Sequence, residues 1–223
     1  MYSVVIAAGG RHELLAYCLD SVLDQTFEDY EVIVVDYGAD PPLSVPDGVR
    51  LIRCEPEGGW SNPIATNTGV AHARGERLVI MNADIIISVD MLARVHDKMQ
   101  KHGDCQLSWE RFDLDPDGVS GRRHPAANRG DFLCIDRQRY MDAGGYDERM
   151  SGWGAYDTDL NWRLKQLGCR EVRGMEPPIL HQWHEPQPTK EADQHRNFQM
   201  HLHNVALRRL VVNEGAATFE KYR

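Results

Sequence analysis

Short apolar runs alternate with amphipathic stretches along the first hundred residues. Ser3 to Ala8 (SVVIAA) is unbroken and closes on Gly9-Gly10, the pattern of a buried strand meeting a turn. Leu14, Leu15, Cys18, Leu19, Val22 and Leu23 then recur at the spacing of one helix face. Glu31 to Val35 (EVIVV) predicts a second strand, closed by Asp36-Tyr37-Gly38 and a proline-rich loop, and Val49 to Cys54 a third. Asn67 to Arg74 suits a helix stopped by Gly75. Leu78 to Met81 (LVIM) predicts a fourth strand, which runs into Asn82-Ala83-Asp84. Such alternation predicts an α/β fold with a mostly parallel, Rossmann-like sheet flanked by helices. Ligands of these sheets bind beyond the carboxyl ends of the strands, where Asp36 and Asp84 both fall.

The second half is less regular. Cys105 to Trp109 and Phe132 to Ile135 read as strands, separated by a polar loop from Asp113 to Arg129. Tyr156 to Leu167 carries a helical stripe, Pro177 to Leu180 is a short apolar segment leading into His181, and Glu191 to Val212 predicts a long terminal helix. No repeat, low-complexity tract or linker divides the chain, so one domain is expected.

Composition narrows the function. The chain has 223 residues, 42% hydrophobic and 26% charged, with 34 acidic against 25 basic side chains and a formal charge of -9. That balance argues against a nucleic-acid footprint or attraction to anionic lipid, yet a small nucleotide needs only a few local donors and a cation. No apolar run approaches the roughly 20 residues of a membrane span. The five cysteines lie far apart and the start of the chain lacks a signal-peptide pattern, so a reducing, cytoplasmic setting is expected.

Several residues could carry chemistry. Asp84 could bind a hard cation such as Mn2+ or Mg2+, or serve as a turn residue. Asp36 has the same alternatives. In Ser151 to Asp159, glycines flank Trp153 and two acids open a helix; Asp159 is spaced to pair with Arg163, whereas Asp157 is either a helix-start residue or a general base. Trp153 could be a surface aromatic or a sugar-stacking platform. His181 and His184 could be a metal site or a hydrogen-bonded surface pair.

In their joint order these segments resemble glycosyltransferases of the GT-A fold, especially family 2 and enzymes with a galactosyltransferase-like C-terminal region. The resemblance runs through Leu19 to Thr26, Glu31 to Asp36, Asn67 to Glu76, Asn82 to Asp84, Gly144 to Glu148, Gly152 to Gly154, Asp157 to Arg163 and His181. It implies a metal-dependent transfer of a sugar from a nucleotide-sugar, UDP-linked by preference, to the hydroxyl of a carbohydrate or glycoconjugate acceptor, with inversion. Ala7, Arg11, Asp36, Asn67, Asn82, Ala83 and Asp84 would bind the donor. Trp153, Gly154 and Asp159 would bind the acceptor, Asp157 would be the base, and Asp84 with His181 (or His184) would hold Mn2+ or Mg2+. Residues 1–104 would form the donor half, 105–190 the acceptor half and 191–213 a terminal helix, with 214–223 a tail. Two positions depart from the family pattern: Asn82 replaces the first Asp of the metal motif, and Tyr156 replaces the acid before Asp157. The alternatives are a sugar-nucleotide nucleotidylyltransferase, suggested by Ala7 to Arg11, and a non-catalytic nucleotide-sugar-binding module of the same fold.

Overall fold

The apolar run at the N-terminus becomes β1 (Tyr2–Ala8), every residue of which is buried. The computed structural model describes residues 1–56, 58–124 and 130–222. After β1 come α1 (His12–Leu23), β2 (Tyr30–Tyr37), β3 (Val49–Cys54), α2 (Asn62–Ala71), β4 (Arg77–Asn82), the two-residue β5 (Ile85–Ile86) and α3 (Met91–His102). The second half contributes β6 (Cys105–Leu114), β7 (Gly121–Arg123), β8 (Phe132–Asp136), α4 (Arg137–Asp142), α5 (Tyr156–Gln166), β9 (Arg170–His181), α6 (Lys190–Ala206) and a 3-10 helix over Gly215–Tyr222.

Among the described residues, nine strands form one sheet in the order β3-β2-β1-β4-β8-β6-β9-β5, with β7 hairpinned onto β6. From β3 to β4 every pairing is parallel, as is β6 with β9; β8 runs antiparallel to both β4 and β6. Apolar side chains bury on both faces of the parallel half, with Val4 and Ile6 on one side and Val5 and Ala7 on the other. This is why its strands read as continuous apolar runs rather than alternating ones. The α/β expectation therefore holds, with the parallel register concentrated in the first half.

Several boundaries differ from the sequence reading. The helix expected from Asn67 starts at Asn62, because Ser61 accepts a hydrogen bond from the Ile64 N–H and Pro63 occupies the first turn. Gly69 lets this helix lie against the sheet, since a Cβ there would meet Val5 and Val35. The expected 113–129 loop is partly strand: β6 continues to Leu114 and pairs with β7, while 125–129 lie outside the described residues. The terminal helix stops at Ala206 rather than Val212, where Arg208 and then Asn213 turn to positive φ. The segment expected as a tail instead returns to the domain, with Phe219 fully buried against Tyr140. Among the described residues no helix is long and apolar enough to cross a membrane.

Candidate active site

The parallel register sets the donor edge. Ala8 lies opposite Asp36 on one side of β1, and Ala7 lies opposite Asn82 on the other. Two strand spacings therefore separate the ends of β2 and β4, about 10 Å, which is within the length of a nucleoside diphosphate. Asp36 is buried, and its two oxygens accept from the Ala39 and Leu43 N–H groups at 3.0 and 2.9 Å. It thus shapes the loop beside the edge. Trp60, not anticipated from the sequence, packs edge-on to Tyr37 at 5.7 Å and lies over Gly9, where a Cβ would meet its ring at 2.6 Å.

The turn after β4 carries Ala83 and Asp84, both buried. Short β5 pairs Ile85 with His181 at the end of β9 and so brings the late histidine beside the early aspartate. Ligand atoms of Asp84, His181 and His184 lie within 4.8 Å of one another. His184, given as the alternative to His181, is the nearer imidazole: its Nε2 is 3.2 Å from Asp84 Oδ2, against 3.8 Å for His181 Nε2. His184 Nδ1 sits 2.9 Å from the Glu185 carbonyl, and Nε2, which faces Asp84, would offer its lone pair to a bound ion once Nδ1 carries the ring proton. Burial pushes His181 down to about 4, so this ring is neutral near pH 7. Burial alone would raise Asp84, but the neighbouring imidazoles and the Arg11 guanidinium outweigh it and hold the carboxylate low. Its Oδ1 is buried and has no hydrogen-bond partner among the described residues. One carboxylate and two imidazoles converging within 4.8 Å are a donor set that fits a divalent ion of the manganese type.

A second acid, missed in the sequence, lies between this cluster and the other half. Asp131 opens the stretch before β8, accepts from the Asn82 side chain at 2.8 Å and pairs with Arg111 at 2.6 Å. Asn82 also donates its backbone N–H to the Asp131 carbonyl. An aspartate at 82 would face a second carboxylate here; the amide instead donates to it, which gives the departure from the family pattern a physical reason. Burial, helped by the charges of Asp84 and Asp157 and opposed by Arg111, pushes Asp131 up to about 7. Asp157 is half-buried in the first turn of α5 and abuts the same segment, with a Cβ on Gly130 falling 3.0 Å from its side chain.

Other expected site residues are structural. Asn67 is fully buried: it donates to the Tyr146 carbonyl and Glu148 and accepts from the Tyr140 hydroxyl and Tyr146 N–H. It fastens α2 to the 140–148 segment and does not reach the donor edge. Asp159 is also sealed from any acceptor, with Arg163 at 2.7 Å, Asn204 at 3.0 Å and His201 at 3.2 Å. The loop around Trp153, flanked by glycines, is held by Asn197, whose amide donates to the carbonyls of Ser151, Trp153 and Gly154. Gly152 sits at φ +71° with a Cβ position that would collide with the Asp193 carboxylate. Trp153 remains 36% exposed, with the Lys190 ammonium 4.3 Å from its ring centre.

The Glycosyl transferase family 2 model matches residues 3–156. Glycosyltransferase GlyG of Streptococcus pneumoniae is 28% identical over 109 residues, covering 45% of this chain and 36% of its own length. A PGL/p-HBAD biosynthesis glycosyltransferase of Mycobacterium tuberculosis is 34% identical over 117 residues, covering 48% of this chain and 44% of its own length. The chain thus spans less than half the length of either. Among solved structures, S. aureus TarS 1-349 in complex with UDP superposes with a TM-score of 0.71 at 14% identity, over 99% of this chain and 69% of that one. The mannosyltransferase PcManGT of Pyrobaculum calidifontis, in complex with GDP-Man and Mn2+, gives 0.66 at 18% identity, over 99% and 67%. At these identities the likeness shows a shared GT-A fold.

Proposed function

The chain belongs to glycosyl transferase family 2, and on that premise we propose that it transfers a sugar from a nucleotide-sugar to an acceptor hydroxyl, with a divalent cation and with inversion. The observation that carries the reading is the convergence of Asp84, His181 and His184 at the edge where β1, β2 and β4 end. The UDP complex of TarS and the GDP-Man and Mn2+ complex of PcManGT support a nucleotide-sugar donor on this fold. A hexose or N-acetylhexosamine donor linked to UDP is the preferred class. Bound on Asp84 and the two histidines, Mn2+ (or Mg2+) would supply Lewis acidity to the leaving diphosphate.

The chain's own residues do the rest. The base and ribose would lie along the β1–β2 edge, bounded by Asp36 and by the Trp60 ring. Asp157 takes the proton of the acceptor hydroxyl as attack develops; its charge and that of Asp84 both act on Asp131, which supports a place near the donor site. A single displacement from that side inverts the anomeric centre. Trp153 offers an apolar face for a carbohydrate acceptor beside the pinned loop. Residues 1–104 then form the donor half, while 105–190 supply the base, the acceptor wall and the two histidines. A cytoplasmic setting fits the five free cysteines, four of them buried.

Nucleotide-sugar hydrolysis with and without Mn2+ tests the reading. Slow, Mn2+-dependent release of the nucleoside diphosphate, lost in Asp84→Asn, is expected. Binding without any turnover would make the protein a non-catalytic module, and pyrophosphate release from UTP plus a sugar phosphate would make it a nucleotidylyltransferase.

A further inference from the structure

Among the described residues, Arg11 is the cation in direct contact with the cluster's carboxylate. Its guanidinium NH1 lies 2.7 Å from Asp84 Oδ2 and 3.0 Å from His184 Nε2, the same two atoms a cation would share. The backbone places it there: Arg11 precedes α1 in the left-handed region, at φ 57° and ψ 46°, which a non-glycine residue adopts at some cost in strain. Of the other acids nearby, Asp113 and Asp131 share the single Arg111 guanidinium, at 2.7 and 2.6 Å. Asn82 contributes no charge and two imidazoles contribute no negative charge. Asp84 is therefore the anionic member of the triad, and Arg11 neutralises it.

We propose that Arg11 makes cation binding conditional on a diphosphate. The inference rests on reading the triad as the donor-site cation centre. A divalent ion entering alone meets a cluster whose carboxylate is already matched and whose nearest neighbour is a like charge. A diphosphate offers the guanidinium a second anionic partner with oxygens spaced for its fork, so Asp84 Oδ2 becomes free when both ligands are present. Cation and diphosphate then each raise the other's affinity by the same factor, as linkage requires. Arg11 is about a third exposed and sits at the start of a helix, so its side chain has room to exchange partners.

The test is manganese binding, read from the EPR signal of free Mn2+, on the wild-type chain and on Arg11→Met, Arg11→Lys and Asp84→Asn. Each is measured alone and with UDP or GDP, and Asp84→Asn serves as the blank for manganese held by the nucleotide itself. Removing a unit charge at contact distance, discounted for solvent screening, predicts that Arg11→Met binds Mn2+ alone at least about tenfold tighter than wild type. The nucleotide's enhancement, large in wild type, shrinks in Arg11→Met. Arg11→Lys keeps the charge, and so the weak binding of Mn2+ alone, but has a smaller nucleotide enhancement because the fork is lost; thermal unfolding confirms that each variant is folded. If Asp84-dependent binding is present but Arg11→Met is no tighter than wild type, the inference falls and the cation site stands. Enhancement by neither nucleotide in wild type overturns the diphosphate link. If no Asp84-dependent manganese binds to any variant, the cation centre itself is wrong, and Arg11's role falls with it.

Discussion

Asp157 and Asp159 lie two residues apart in the first turn of α5, and neutralising each should have opposite consequences. Asp159 and Arg163 are both fully buried, and the guanidinium makes three bonds of 2.7 Å: to Asp159, to the Ala143 carbonyl and to the Gly145 carbonyl. The other Asp159 oxygen accepts from Asn204 and His201 on α6. Asp159→Asn removes the only charge answering a buried guanidinium among the described residues and turns an amide N–H2 toward existing donors. Breaking a buried pair from one side costs about 3–5 kcal/mol. For a chain of this size that lowers the melting temperature by roughly 6–20 °C. Asp157→Asn loses a favourable charge at a helix N-terminus, about 0.3–1 kcal/mol, while removal of the base should cut transfer by roughly 100-fold or more. Thermal unfolding followed by circular dichroism gives the first quantity, and sugar transfer measured below both transitions gives the second. An Asp159→Asn protein that melts with wild type but has lost transfer would refute the reasoning, because Asp159 would then act in the chemistry and not in the scaffold.

Stripped of divalent ions, the protein should lose stability as pH falls from 6.5 toward about 4, because folded His181 stays neutral where the unfolded chain takes up a proton. His181→Asn should flatten that limb in a pH series of unfolding curves. Asp131 acts with the opposite sign: held protonated up to about 7 against an ordinary 3.8, it makes stability decline as pH rises through that window. Asp131→Asn should remove this decline, and an unchanged slope would mean that Asp131 holds no proton. Asn197→Ala takes the amide donor from the Trp153 and Gly154 carbonyls, while Ser151 keeps Arg196, and should cost about 1–3 kcal/mol, with faster proteolytic cutting in that loop. Trp153→Ala should raise the acceptor KM with donor hydrolysis unchanged; an unaltered KM would remove Trp153 from the acceptor path.

The donor half was legible because its determinants are local. Strands buried on both faces must be apolar throughout, so β1, β2 and β4 appear as unbroken runs, and the acids ending them mark the ligand edge in any parallel sheet. The start of α2 was missed: the apolar pattern pointed to Asn67, and the signal passed over was Ser61 followed by Pro63. Asp131 was not legible: it lies at the margin of a polar stretch, and only the antiparallel pairing of β8 with β4 sets it beside Asn82.

What the sequence determined by itself is the order of elements, the α/β class and the acids at the strand ends, since these follow from periodicity and chain direction. Spacing also predicted the Asp159–Arg163 pair, because four residues make one helical turn. Tertiary structure alone decided which polar side chains face the cleft and which hold the fold. Along the chain Asn67 looks as available as Asp157, and the spacing to Arg163 does not show that Asp159 is buried as well as paired. Their partners come from α6, 42 and 45 residues after Asp159, and from the 140–148 segment, 73 to 81 residues after Asn67. Burial and charge neutralisation depend on what packs across a residue, and the local pattern of a sequence carries no record of partners that distant.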